Sequence, residues 1–291
     1  MTEALQRELV EIIIQVAAPD EEHALGVLLE LSPTGVRHDA VLDADGSELA
    51  EFGIYASPSE VATIVGYLTR AGVPALDVDV VSVAADWTER WKQFHKPVII
   101  GDLWIGPPWD VDAAPLSAKK VVIEPGQGFG TGAHPTTRLV LGLLGEQPRS
   151  SVLDVGCGSG VLTVAASHLG FGPIAAIDND PAAIDSTHDN LERNGVRGVD
   201  VRLVDARTDA LPEADLVLAN LTLEPLQLLA PRMTAPRVIV SGLLRSQVEA
   251  AAAAFAEADY VVRDRRDRDG WAALVLDHID SERTMRHKDM F

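Results

Sequence analysis

The chain has 291 residues, 47% of them hydrophobic, and 24 Lys and Arg against 44 Asp and Glu, for a formal net charge of −20. That length exceeds one typical domain, and the apolar content is ample for more than one core. Nucleic-acid binders concentrate Lys and Arg to displace counterions from phosphates, and here the basic residues are few and scattered, so a direct nucleic-acid substrate is disfavoured and a basic protein is the expected partner.

No apolar run approaches the ~20 residues that span a bilayer. The opening M-T-E-A-L-Q-R-E-L lacks the basic-then-apolar pattern of a secretory signal. Cys157 is the single cysteine, which rules out an internal disulfide framework and agrees with a reducing, cytoplasmic compartment. In the glycine-rich stretch where it lies, it reads as a small packing residue and not as a catalytic thiol.

Residues 1–78 read as a small α+β module. Leu9 to Val16 is an apolar, strand-like run, and Glu21 to Leu31 has helical spacing, with Leu25, Val27, Leu28 and Leu31 near one face. Ser32-Pro33-Thr34-Gly35 closes that helix. Phe52 to Ala56 is a further strand, and Ser59 to Ala71 a second helix before Gly72-Val73-Pro74. The order strand, helix, strands, helix, strand predicts a ferredoxin-like sandwich. It carries no chemical motif, and its expected role is to present a macromolecular substrate to a neighbouring catalytic domain. Residues 79–117 form a connector with four of the five tryptophans, Trp87, Trp91, Trp104 and Trp109, expected to clasp the two domains.

A larger domain is expected over residues 118–279. Its first informative stretch, Val121 to Thr137, reads V-V-I-E-P-G-Q-G-F-G-T-G-A-H-P-T-T. Four glycines, two prolines and three threonines exclude a regular element. Thr136 and Thr137, ahead of Leu139, Leu141, Leu143 and Leu144, mark a helix start. A loop from Phe129 to Thr137 leading into a helix can fold over a ligand and exclude water. His134, between Ala133 and Pro135, reads as a structural hydrogen-bonder in preference to a base.

Val152 to Gly160, V-L-D-V-G-C-G-S-G, is a strand followed by a glycine-rich turn. A helix follows, then a second apolar run, Ile174 to Ile177, ending in Asp178, 22 residues after Gly156. Such a unit brings bare backbone N–H groups and a helix N-terminus to a ligand, with a carboxylate placed to accept from ribose hydroxyls. A dinucleotide fingerprint needs a third glycine three residues after the second, and Val161 stands there. Asp154, two residues before the first glycine, is unwelcome beside a pyrophosphate and suits a cationic ligand.

Pro181 opens a helix that stops near Asn194-Gly195. Val199 to Val204 is a third strand leading to Asp205, a candidate acceptor for an adenine amino group. Ala214 to Ala219 is a fourth, ending at Asn220, and Arg237 to Ser241 a fifth. Leu243 to Ala258 reads as an alanine-rich helix, and Tyr260–Val262 with Trp271–Leu276 as a closing antiparallel pair. Alternating strands and helices predict an α/β, doubly wound, Rossmann-like domain with its ligand at the strands' carboxyl ends, where Asp178, Asp205 and Asn220 fall. Residues 280–291 form a polar tail.

The D-x-G-x-G-x-G loop at Asp154 to Gly160 resembles the first motif of class I S-adenosylmethionine-dependent methyltransferases. Pro125 to Thr137, Asn220-Leu221, Ser241-Gly242-Leu243-Leu244 and the G-W-A-A-L-V-L ending narrow the resemblance to the PrmA-type methyltransferases that modify ribosomal large-subunit protein eleven. It covers nearly the whole chain. It implies a ferredoxin-like substrate-recognition domain, a linker and a methyltransferase domain that uses S-adenosylmethionine. Cofactor contacts carried across fall on Thr137, Gly156, Asp178 and Asn220, with Phe129 and Gly158 as additions, and Asn220 is the catalytic candidate. The N-terminal module matches by pattern more than by residue, and Thr222 stands where the family more often has an apolar residue.

Asn220 is followed by Leu221-Thr222 and not by Pro-Pro-aromatic, which points to an aliphatic amine, lysine or an N-terminal amine, as methyl acceptor. No residue stands out as a general base and no metal is called for. The alternatives are a lysine methyltransferase for another protein, a non-catalytic S-adenosylmethionine-binding module, and a nicotinamide-dependent oxidoreductase on the same fold.

Overall fold

In a computed structural model of the chain, residues 10–31, 36–42, 48–82, 96–124, 132 and 134–280 are described. The chain divides into two compact units, Met1–Phe94 and His95–Phe291.

The first unit runs β1 (Val10–Ala17), α1 (Glu21–Leu31), β2 (Arg37–Leu42), β3 (Glu48–Ala56), α2 (Val61–Arg70) and β4 (Ala75–Ser82). Its sheet has the order β2-β3-β1-β4, with every neighbouring pair antiparallel. This is the ferredoxin-like arrangement expected of the sequence. Along β1 burial alternates, because successive side chains point to opposite faces. Ile12, Ile14 and Val16 enter a core with Leu28, Phe52, Ile54 and Leu68, and Val10 is buried at the strand's start. β3 begins four residues ahead of Phe52, where Leu49 and Ala50 pair with Ala17 and Val16. On the other face Arg37 bridges Glu11 at 2.9 Å and Glu51 at 3.0 Å. Gly53 makes room for that bridge: a Cβ there would lie 2.8 Å from Arg37 Nε.

In the second unit a small sheet of β5 (Val98–Ile100), β6 (Leu103–Gly106) and β7 (Lys119–Val122) comes first. The described stretch from Lys96 to Ser117, within the Trp-rich connector of the sequence, thus lies in this unit. Trp104 is buried on β6 and Trp109 half-buried, while Trp87 and Trp91 lie outside the described residues.

α3 (Pro135–Gly145) leads into β8 (Val152–Val155), α4 (Val161–Leu169), β9 (Ile174–Asp178), α5 (Pro181–Arg193), β10 (Asp200–Leu203) and β11 (Leu216–Asn220). α6 (Leu223–Leu229), β12 (Arg237–Leu244), α7 (Val248–Glu257), β13 (Tyr260–Arg268) and β14 (Trp271–His278) complete the unit. The seven strands take the order β10-β9-β8-β11-β12-β14-β13, parallel except for β14. With helices on both faces, β8 is buried at all four positions, as parallel strands usually are. The doubly wound reading of the sequence is met.

In this unit two boundaries differ from the expectation by more than two residues. Leu243 and Leu244 finish β12 instead of opening a helix, because they pair with Ala272 and Trp271 past a bulge after Val240. A short 3-10 turn follows, and α7 starts at Val248. Sheet pairing here outweighs the helical propensity of the alanine run that follows. β13 likewise continues to Arg268, paired with β14 on both sides of a register shift between Val262 and Asp264, where the apolar run alone ended at Val262.

Candidate functional site

Strand order reverses between β8, which continues to β9 on one side, and β11 on the other. Ligands of open α/β sheets bind outside the carboxyl ends at such a switch point. The turn after β8 is built there. Gly156, Gly158 and Gly160 all have positive φ, at 72°, 55° and 76°, a region that side chains with a Cβ rarely enter. The N–H groups of Gly156 and Cys157 both donate to Ile177 O, at 2.8 and 3.1 Å, tying the turn to β9. A Cβ on Gly160 would lie 3.1 Å from Thr187 Cγ2, so the last glycine of the turn lets α5 pack closely behind it.

Asp178 closes β9. Its Oδ2 accepts from the Gly158 N–H at 3.0 Å and its Oδ1 from the Asp180 N–H at 3.0 Å. One backbone donor on each oxygen fixes the carboxylate and leaves each oxygen a further lone pair for a hydroxyl.

Asp154, on β8, is 1% exposed and accepts from Thr163 Oγ1 at 2.6 Å, which ties β8 to α4. Burial raises its pKa to about 7, against the lowering effect of the Thr163 bond. Burial also pushes the Cys157 thiol up to about 12, and its sulfur lies 3.3 Å from the Thr187 hydroxyl oxygen. A protonated, enclosed thiol is a packing group.

Asn220 closes β11 on the other side of the switch point. Its Nδ2 reaches Thr137 Oγ1 on α3 at 3.4 Å, and Thr137 is fully buried. Its Oδ1 is buried and accepts no hydrogen bond from the described residues. Native proteins satisfy nearly all such atoms, and leaving one unmade costs about 1–3 kcal/mol, so an orphan acceptor at a sheet's ligand edge awaits a donor.

The residue after Asn220 is clamped. The Leu221 N–H donates to Ser241 O at 3.0 Å. A Cβ on Gly156 would lie 2.5 Å from Leu221 Cδ2, and one on Gly242, whose φ is 88°, would lie 2.6 Å from the Leu221 carbonyl carbon. Leu221 therefore sits between two glycines, and their lack of side chains places Asn220.

His134 caps α3. Its Nδ1 accepts from the Thr136 N–H at 3.4 Å and lies 2.7 Å from Thr136 Oγ1. The ring meets Trp271 edge to face, with centroids 5.0 Å apart. Burial lowers its pKa to about 4, so the imidazole is neutral at pH 7 and works as a cap.

Of the residues singled out from sequence, Gly158 and Asp178 are joined directly, as are Thr137 and Asn220, and Gly156 meets Asn220's neighbour Leu221. Phe129 lies outside the described residues. Asp205, past the end of β10, is held by Arg207 through both carboxylate oxygens at 2.9 Å, and those bonds lower its pKa to about 2. Sequence reasoning missed Thr187, Asn190 and Gly242. Gly242 had a signal, a glycine inside an apolar strand-like run, which marks a bulge or a close backbone approach. Among the described residues no cluster of three His, Cys, Asp or Glu could hold a metal, and no helix is long and apolar enough to cross a membrane.

The model of the family described as ribosomal protein L11 methyltransferase (PrmA) matches residues 53–278. A protein from Symbiobacterium thermophilum named ribosomal protein L11 methyltransferase is 38% identical over 198 residues, 65% of this chain and 65% of its own length. One of the same name from Burkholderia lata is 33% identical over 298 residues, covering 91% of this chain and 96% of its own. The crystal structure of a ribosomal protein L11 methylase from Lactobacillus delbrueckii subsp. bulgaricus aligns with a TM-score of 0.57 at 26% identity, over 63% of this chain and 99% of that one. By the family match over residues 53–278 and the likeness to the Burkholderia lata protein over most of both chains, the chain belongs to the ribosomal protein L11 methyltransferase (PrmA) family.

Proposed function

We propose that the protein is an S-adenosylmethionine-dependent methyltransferase that modifies amino groups of ribosomal protein L11, on lysine side chains, the N-terminus or both. The observation that carries this reading is the orphaned, buried Oδ1 of Asn220, anchored through Nδ2 to Thr137, at the switch point. The described residues fit the cofactor. Asp178 keeps accepting capacity for ribose hydroxyls, and the turn at Gly156 and Gly158 lets a ligand approach the backbone. Thr137, Gly156, Gly158, Asp178 and Asn220 are the proposed contacts, and Phe129 is carried in the same proposal.

Bound S-adenosylmethionine supplies an electrophilic methyl group on a sulfonium. The chain's part is to receive and orient the acceptor amine. An amine must present its lone pair, and deprotonating a free lysine at pH 7 costs roughly 4.6 kcal/mol, from a reference pKa of about 10.4. Asn220 Oδ1 would accept from an amine N–H and so orient the amine's single lone pair, while exclusion of water, and not that hydrogen bond, favours the uncharged form. Thr137 holds the amide in that orientation. No residue of the sequence stands out as a general base, and His134 is committed to its helix cap. Proton transfer to water and proximity then account for the rest.

The ferredoxin-like unit, whose last strand runs to Ser82, is the proposed recognition module for the basic substrate, and the second unit, which takes in the expected linker from His95 onward, is the proposed catalytic domain. The enzyme's expected place is the cytoplasm, acting on protein and not directly on nucleic acid. The test is methyl transfer from labelled S-adenosylmethionine to purified ribosomal protein L11, with mass spectrometry to place the label. Label on its amines supports the reading. Cofactor binding without label sends the search to other basic proteins, and absence of cofactor binding overturns it.

A further inference from the structure

The glycine turn is braced from behind by α5, through residues that the reaction scheme above does not use. Thr187 Oγ1 donates to Gly158 O at 3.0 Å, and Asn190 Nδ2 donates to Ser159 O at 2.9 Å. Both side chains are buried, at 0% and 1% exposure. A peptide unit is planar and trans, so a carbonyl turned toward α5 turns the next residue's N–H away from it. Two successive peptide planes of the turn are thus set by one helix. The other end of the same amide is also committed: Asn190 Oδ1 accepts from the Glu124 N–H at 3.0 Å.

One turn further on, Asn194 accepts from Val122 N–H at 2.8 Å and donates to Val122 O at 2.6 Å, in the manner of a neighbouring strand along the edge of β7. Arg193 pairs with Glu124 at 3.0 Å. That exposed ion pair adds little, whereas a buried amide satisfied at both ends is geometrically demanding. Asn190 is thus hydrogen-bonded both to the turn and to the chain leaving β7.

We infer that Asn190 is a positioning residue for cofactor binding: with Thr187 it orients the peptide planes of Gly158 and Ser159, and through Glu124 it couples that turn to the strand β7. The inference rests on the proposed S-adenosylmethionine site. Asn194, which holds β7 without touching the turn, supplies the internal comparison.

The experiment uses the full chain and three variants, N190D, T187V and N194A. N190D keeps the acceptor for Glu124 and places an oxygen against the Ser159 carbonyl. T187V removes the donor to Gly158 with little change in shape. Affinity for S-adenosylmethionine is read by calorimetry, KM and kcat by methyl transfer at saturating protein substrate, and folding by thermal unfolding. N190D and T187V are expected to raise both Kd and KM for S-adenosylmethionine about tenfold, the worth of one buried hydrogen bond, with kcat at saturation within about twofold. N194A is expected to lower the melting temperature while leaving KM for S-adenosylmethionine within about twofold. Unchanged KM in both turn variants overturns the inference, as does a loss in all three that tracks melting temperature. If the unaltered protein binds no S-adenosylmethionine, the proposed function falls and this inference with it; binding by the unaltered protein and equal binding by N190D removes the inference alone.

Discussion

In the four-stranded sheet β1 alternates between core and half-exposed positions, so Glu11 and Gln15 need no more explanation than that they occupy the outer face. In the seven-stranded sheet β8 is buried throughout, and β11 at all but its last position. A polar residue there has no outer face to occupy, and it must be satisfied by a neighbour or by a ligand. Asp154 is satisfied by Thr163, and Asn220 by Thr137 on its nitrogen alone. The same residue types thus mean different things in the two sheets. On the first, charge is a solvated surface with Arg37 pairing Glu11 and Glu51; on the second, a polar strand end marks a site.

The contrast is most exposed at Gly242, which touches no proposed ligand. Its φ of 88° and the closeness of the Leu221 backbone leave no room for a methyl group. Gly242→Ala is expected to displace Leu221 and with it Asn220, lowering kcat/KM by roughly 10²–10³, since a misplacement of 1 Å can cost about a hundredfold. Activity within tenfold of the unaltered enzyme would show that the clamp does not set Asn220.

Ile14, fully buried in the first core, probes the other sheet. Ile14→Ala should cost about 2–5 kcal/mol of that unit's stability in chemical denaturation. Calorimetric affinity for S-adenosylmethionine should stay within about twofold, because the proposed contacts all belong to the second unit. A joint loss of cofactor affinity would erase the distinction between the sheets.

Asn220→Ala separates binding from chemistry. With one oriented hydrogen bond removed, kcat should fall about 10- to 100-fold. Cofactor Kd should move less than kcat, and an unchanged turnover number would sink the assignment.

A further prediction is one of pH. The Asp154 pKa is raised to about 7 in the fold, above its value near 3.8 in the unfolded chain. Between these values the unfolded state releases a proton that the folded state keeps, so stability falls as pH rises from about 4 to about 7 and is level on either side. Asp154→Asn should lack this component, and the difference in melting temperature between variant and parent should shift in the variant's favour across that window. A difference independent of pH would mean that Asp154 ionises normally.

Much of this was legible in the sequence because local rules sufficed. The strict alternation of β1, the spacing of α1 from Glu21 to Leu31, and the glycine turn with Asp178 beyond it each follow from steric and burial rules that act over a few residues. Asp178 and Asn220 were identifiable because a polar residue that ends an apolar run stands out. What the sequence could not specify were relations between segments far apart in the chain. Leu243 and Leu244 join β12 only because β14 is there to pair with them. Gly160 is required by Thr187, Gly242 by Leu221, and the Ser159 carbonyl is turned by an asparagine 31 residues away. The fold class, the two modules and the strand-end residues thus follow from periodicity and backbone sterics. Tertiary structure alone decided which peptide planes and side chains those residues meet, since close packing between distant segments depends on where each is held, and no local pattern records that.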